Sequence, residues 1–287
     1  MLRSLLLLSL GLLSTAQFTN NPISNATSSD CPTENGAHII VARASVEALG
    51  YGIIGQVKDN VLKQVPGSTA EFVVYPATLN DYFNSETDGV VGMRKLIDAY
   101  VAKCANAPLV LMGYSQGAQV TADSLVGQQV AAFPPNSTVS QPLPDSTLER
   151  VAAAVIMGDP TSNLTESFHV GNATKNGIFP RKNVANFEAT GLASRMKSYC
   201  DEGDPYCASG KFSEISVHLR YVQEYGAEAT QFVVDQIKAY YENGTTTASN
   251  GTSTGAPAAT YTGSASSARY SSVAGVVALG AVVAYLL

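Results

Sequence analysis

Charge is scarce in this sequence. Only 14% of its 287 residues are charged, 17 basic against 23 acidic, and no basic block interrupts them. The positive surface that nucleic acid demands is missing, which argues against such a partner. Histidine is scarcer still: there are three, His38, His169 and His218. None lies close to a cysteine pair, and no two cysteines have the CxxC spacing of a metal half-site, so a zinc site is disfavoured. No internal repeat stands out, which sets aside solenoid architectures.

Apolar residues are plentiful, at 45% of the chain, and about one large domain's worth of sequence lies between two unusual ends. The first, "MLRSLLLLSLGLLSTAQ", has one basic residue, an apolar run and small residues before a cut after Ala16, the pattern of a secretory signal. The last, "VAGVVALGAVVAYLL" from Val273, is uncharged and falls short of the about 20 apolar residues of a spanning helix. Preceded by small and polar residues, it matches a GPI-attachment signal with Gly263 or Ser264 as the attachment site. A tail anchor is the alternative.

Sequons at Asn25, Asn136, Asn163, Asn172, Asn243 and Asn250 fit an extracellular chain, each weak alone. After Glu242 a Ser/Thr/Gly/Ala stretch cannot bury a core and reads as a stalk. The expected organisation is a signal over 1–16, a flexible segment over 17–30, a domain over 31–241, a stalk over 242–263 and a removed signal over 264–287. Four cysteines in a secreted chain form two disulfides. Three pairings are possible; Cys200 and Cys207 are close enough to staple one loop, which leaves Cys31 for Cys104.

The body alternates strand and helix patterns. "HIIVARA" from His38, "EFVVYP" from Glu71, "LVLMGY" from Leu109, "VAAAVIMG" from Val151 and "RMKSYC" read as strands. Helical segments run from about Val46 to Leu62, through "GVVGMRKLIDAYVAKC" with Val90, Met93, Leu96, Ile97 and Tyr100 on one face, and from Gln116 until Gly127. A closing helix turns Phe232, Val233, Ile237 and Tyr240 inward. The alternation predicts an α/β fold with a parallel sheet covered on both faces.

In such a sheet, function gathers at the carboxyl ends of strands. "GYSQG", residues 113–117, stands at one, between a strand and a helix. A G-x-S-x-G turn there strains the serine backbone, exposes Ser115 and aims the helix N-terminus at any anion that forms. A nucleophilic serine needs a base, and the order serine, acid, histidine removes His38. His169 lies among sequons in what reads as a solvated loop; His218 lies just ahead of the last helix and is preferred. Asp204, inside the Cys200–Cys207 loop, suits the acid, with Asp201 as its local competitor; Asp159 in "MGDP" reads as a turn or cap.

"GYSQGAQ", "SYCDEGDPYC" and "VHLRYVQEYG", with "VARASVEALGYG", "PGSTAEFVVYPA" and "AAVIMGDP" in the same order, resemble the cutinase and acetylxylan esterase family of small fungal serine esterases. The resemblance runs from about Cys31 to Tyr241. It implies a compact α/β-hydrolase fold, a doubly wound sheet of about five parallel strands, without a large lid. It also implies Ser115 as nucleophile, Asp204 as acid and His218 as base, with an oxyanion hole at the Gln116 N–H and at Ser45. No metal or organic cofactor is called for.

The expected protein is a monomeric, extracellular hydrolase whose partner is an ester substrate, held to a membrane only through its lipid anchor. "SYCDEGDPYC" and "QEYG" are similar to the acetylxylan esterase branch, which implies acetylated xylan. The two disulfides, fewer than that branch usually carries, keep cutin or another aliphatic polyester open as the alternative. A reading of another class is a non-catalytic surface or wall protein on an esterase fold.

Overall fold

The computed structural model describes residues 23–134, 136 and 138–247. The expected signal peptide, most of the stalk, the GPI signal with Gly263 and Ser264, and the sequon at Asn250 lie outside these residues.

Six strands form one parallel sheet in the order β2-β1-β3-β4-β6-β5. They are β1 His38–Ala42, β2 Thr69–Phe72, β3 Leu109–Tyr114, β4 Val151–Met157, β5 His169–Val170 and β6 Met196–Tyr199. The helices are α1 Gly55–Gln64, α2 Tyr82–Lys103, α3 Gln116–Val126, α4 Asp145–Leu148, α5 Ala185–Ala189, α6 Ile215–His218 and α7 Tyr221–Thr247. The sheet exceeds the expected count of about five by one two-residue edge strand, β5, which pairs with Ser198 and Tyr199. His169 sits on that strand rather than in a solvated loop, and "HV" is too short to leave a periodic signal.

Strand residues alternate between two cores, as side chains on a pleated ribbon must. Ile40, Leu111 and Ile156 face Met93, Ile97, Val120 and Leu125 of α2 and α3. Ile39, Val41, Val110, Met112 and Val155 face Val57, Val61, Val233 and Ile237 of α1 and α7. Because both faces are covered, β1, β3 and β4 are buried along their whole length, which is why they read as unbroken apolar runs. From β1 the chain runs to β2 on one side and returns to β3 on the other. That reversal places a crevice at the carboxyl ends of β1 and β3.

The expected helix from Val46 begins only at Gly55. Val46, Gly50 and Gly52 have φ of 60°, 143° and 58°, and the left-handed backbone breaks any helix there. The segment is organised instead by Glu47, whose carboxylate accepts the Ala44 and Ile53 N–H groups, each at 2.7 Å. On α7, Val233 and Ile237 are buried as expected, while Phe232 and Tyr240 are half-buried. The helix continues to Thr247, so the first residues of the expected stalk, with Asn243, are helical.

Both expected disulfides are present, with Cα–Cα distances of 5.5 Å for Cys31–Cys104 and 5.9 Å for Cys200–Cys207. Among the described sequons, Asn25, Asn172 and Asn243 are exposed, whereas Asn136 and Asn163 are half-buried. The Asn163 amide donates inward to the Arg181 carbonyl at 3.2 Å.

Candidate active site

The turn between β3 and α3 is held by three residues of one pentapeptide. Ser115 adopts φ 54° and ψ −120°, a region an L-residue enters only under external constraint. The constraint comes from both neighbours two positions away. A Cβ on Gly113 would lie 2.1 Å from the Gly117 carbonyl oxygen, and one on Gly117 would lie 2.1 Å from the Ala42 carbonyl oxygen. Only glycine lets β3, α3 and β1 approach this closely.

His218 reaches Ser115 from α6. Its Nε2 lies 2.9 Å from Ser115 Oγ, and its Nδ1 lies 2.8 Å from Asp204 Oδ2. A third glycine makes room: at Gly158, with φ 64°, a Cβ would stand 2.7 Å from the imidazole Cε1. Tyr114, the variable residue before the serine, donates to the His218 carbonyl oxygen at 2.5 Å. Tyr206 packs against the imidazole with ring centroids 4.6 Å apart.

Asp204 is fully buried in the Cys200–Cys207 loop. Burial pushes its pKa up, but the hydrogen bond and charge of His218 and the backbone N–H groups of Tyr206 and Cys207 outweigh it. The carboxyl is held below its ordinary value. Those N–H groups reach Oδ1 at 2.7 and 3.0 Å, and the Tyr221 hydroxyl reaches Oδ2 at 2.8 Å. Asp201, the local competitor, is turned elsewhere. Its side chain accepts from the Asn172 N–H at 3.1 Å and from the Tyr225 hydroxyl at 2.9 Å.

The other two expected positions flank the serine. Gln116 opens α3, where a backbone N–H has no intrahelical acceptor. Its side chain is buried, accepting from the Ser85 hydroxyl at 3.2 Å and donating to the Tyr82 carbonyl at 3.3 Å. Ser45 lies just beyond β1, and its buried Oγ has no hydrogen-bond partner among the described residues. Ser45, Ser115 and His218 line one cleft of 360 Å³ whose walls include Leu79, Tyr82, Ile178, Phe179, Ile215 and Leu219. A basic nitrogen, a hydroxyl within its reach and free donors beside an apolar cleft form an arrangement suited to acyl transfer.

Several supporting residues escaped the sequence reading. Asp159 makes the expected turn, accepting the Thr161 N–H at 2.8 Å, but it also pairs with fully buried Arg181 at 2.6 Å. Arg181 binds Asp123 at 2.8 Å and Glu166 at 3.2 Å as well. This cluster ties the segment carrying Pro160 and Phe179, one wall of the cleft, to α3. Its members come from four separate stretches, so no local pattern announces it. His38, set aside by chain order, lies at the far, amino end of β1, bonded to Thr69 and Glu71. His169 has both ring nitrogens buried without a partner among the described residues, and burial lowers its pKa. Among the described residues no cluster of His, Cys, Asp and Glu could hold a metal ion.

Known proteins share this architecture. The chain is 34% identical over 256 residues to an acetylxylan esterase of Hypocrea jecorina, spanning 86% of this chain and 81% of that protein. It is 33% identical over 219 residues to Cutinase 11 of Verticillium dahliae, spanning 73% of this chain and 70% of that one. The solved catalytic core domain of acetyl xylan esterase from Trichoderma reesei superposes with a TM-score of 0.63 at 33% identity, covering 72% of this chain and all of that one. The sequence profile of the Cutinase family matches residues 31–237. The chain belongs to the cutinase family, and with it to the serine carboxylic ester hydrolases.

Proposed function

We propose that the protein is a secreted esterase that removes acetyl groups from an acetylated polysaccharide such as xylan. The observation that carries the hydrolytic part is the unbroken chain from Ser115 Oγ and His218, which line the cleft, to Asp204 buried behind them. His218 takes the serine proton as Oγ attacks the ester carbonyl, and Asp204 stabilises the imidazolium. The oxyanion is met by the Gln116 N–H and by Ser45, whose hydroxyl, without a partner among the described residues, supports this role. The protonated imidazole then gives its proton to the leaving alcohol, leaving an acyl-enzyme. Water attacks that ester with His218 again as base, freeing the acid and restoring the serine.

The acetyl preference is supported by similarity to two curated acetylxylan esterases, at 34% and 33% identity. The apolar cleft walls and the 33% identity to Cutinase 11 favour a second reading, an enzyme for longer acyl chains or aliphatic polyester. Secretion is supported by the two disulfides and the amino-terminal pattern. Lipid attachment rests on the carboxyl-terminal sequence alone.

The test is hydrolysis of nitrophenyl esters from acetate to long chains by the protein and by Ser115→Ala. Activity confined to acetate, lost in the variant and followed by deacetylation of acetylated xylan, supports the first reading. A maximum at butyrate or beyond transfers it to the second. A folded wild-type protein that hydrolyses none of them removes both and leaves the non-catalytic surface protein.

A further inference from the structure

The Tyr221 hydroxyl is fully buried at the start of α7 and does not line the cleft. It accepts the Asp201 N–H at 2.9 Å and lies 2.8 Å from Asp204 Oδ2, with Cys207 Sγ at 3.3 Å. A phenol has one proton to give. With the Asp201 amide already donating to its oxygen, that proton goes to the carboxylate, a far stronger acceptor than a disulfide sulfur. Asp204 Oδ2 is therefore shared between two donors, Tyr221 and His218, while Oδ1 is held by two backbone amides.

We propose that Tyr221 is a positioning residue of the hydrolytic reaction: its hydroxyl fixes Asp204 Oδ2 toward His218 and draws off part of the negative charge that the imidazole faces. This rests on the assignment of Ser115, His218 and Asp204 given above. Burial, and then the Asp204 charge, push the Tyr221 phenol far above its ordinary pKa, so it stays a donor wherever the enzyme works. Other titratable groups around the pair are Asp201 and Tyr206 in the disulfide loop and Tyr114 with Glu47 across β3. On α7, Tyr225 donates to Asp201, and Glu224 and Glu228 act on Tyr225 in turn.

Two variants move the donor in opposite directions. Tyr221→Phe removes it; tyrosine fluorinated at both ring positions beside the hydroxyl, incorporated at position 221, keeps shape and hydroxyl but donates more strongly. For each, kcat and KM on nitrophenyl acetate are measured along the acid limb of the pH profile, per Ser115 titrated with a phosphonate. With Tyr221→Phe, kcat falls about 10-fold at unchanged KM because the site loosens outside the cleft. Its acid limb moves to higher pH by roughly half a unit, since the bare carboxylate favours the imidazolium more. The fluorinated protein moves the limb to lower pH.

If both limbs overlay the wild type, the hydroxyl is only a packing element and the proposal is overturned. If Tyr221→Phe yields no titratable protein, the shape-preserving variant decides alone by the same criterion. A folded wild type that neither reacts with the phosphonate nor hydrolyses the ester overturns the proposal together with the reading beneath it.

Discussion

Tyr114 and His218, 104 residues apart in sequence, are joined by a hydrogen bond of 2.5 Å from the phenol to the histidine's backbone carbonyl. The strand that presents the serine thus also holds the end of α6, which presents the imidazole. Burial pushes the Tyr114 phenol above its ordinary pKa, so the bond persists across the working pH.

Tyr114→Phe keeps the ring contacts and leaves the His218 carbonyl unpaired. A loss of about 1–3 kcal/mol in stability is expected, read by urea denaturation. The end of α6 that carries His218 also gains freedom, so kcat should drop about 10-fold, short of the roughly 100-fold that a full ångström of misplacement costs. Unchanged kcat in a destabilised variant would separate the anchor from catalysis and refute this part.

Two glycines with different reasons for being glycine offer a comparison. A Cβ on Gly117 would press on the Ala42 backbone at 2.1 Å, and neither strand nor helix can yield without moving the sheet. A Cβ on Gly191 would meet nothing within 4 Å among the described residues, and only its φ of 68° disfavours a side chain. Gly117→Ala should cost about 3 kcal/mol or more and remove activity. Gly191→Ala should cost about 1–2 kcal/mol and leave kcat alone. Similar melting temperatures for the two would contradict the steric account.

The disulfides should separate stability from function. Cys31–Cys104 spans 73 residues and touches none of the site; Cys200–Cys207 spans 7 and encloses Asp204. Chain entropy gives about 4.5 kcal/mol for the long loop and about 2.5 for the short one. Replacing the long-loop pair by serines should therefore lower stability more. The short-loop replacement should lower kcat more, because the Tyr206 and Cys207 amides that hold Asp204 Oδ1 lose their frame. Denaturation and turnover on the same two proteins check the reversal of order.

Much of this arrangement was legible in the sequence because it is local or periodic. Buried strands read as apolar runs, and "GYSQG" carries both glycines whose absent Cβ atoms allow the turn. The Cys200–Cys207 spacing marked the loop that holds Asp204, and the scarcity of histidine narrowed the search for its partner. What escaped is what long-range packing decides. Nothing near Arg181 foretells its three carboxylates, and Gly158 looks like an ordinary turn glycine until His218 is seen above it. The segment after Ser45 has helical apolar spacing, but Glu47 and the left-handed Val46 override it.

The buried cluster makes stability depend on pH with a predictable sign. Burial, against the opposing charge of Arg181, raises the carboxyl of Asp123 to about 6 and that of Glu166 to about 8. Each binds its proton more tightly folded than unfolded, so the stabilisation is complete below the ordinary carboxyl range of about 4 and is lost as pH rises through 6 and then 8. Asp204, held low, acts oppositely: its contribution is present above that range and disappears as pH falls further. The melting temperature should accordingly peak at mildly acidic pH and decline toward about pH 8. Glu166→Gln keeps an acceptor for Arg181 but cannot titrate, so it should flatten the alkaline decline while leaving the acid side in place. Melting curves of both proteins across this range decide the matter: a decline equally steep in the variant means Glu166 enters the fold already ionised. In that case Arg181 would face its carboxylates with less surplus negative charge protonated away than the burial argument requires.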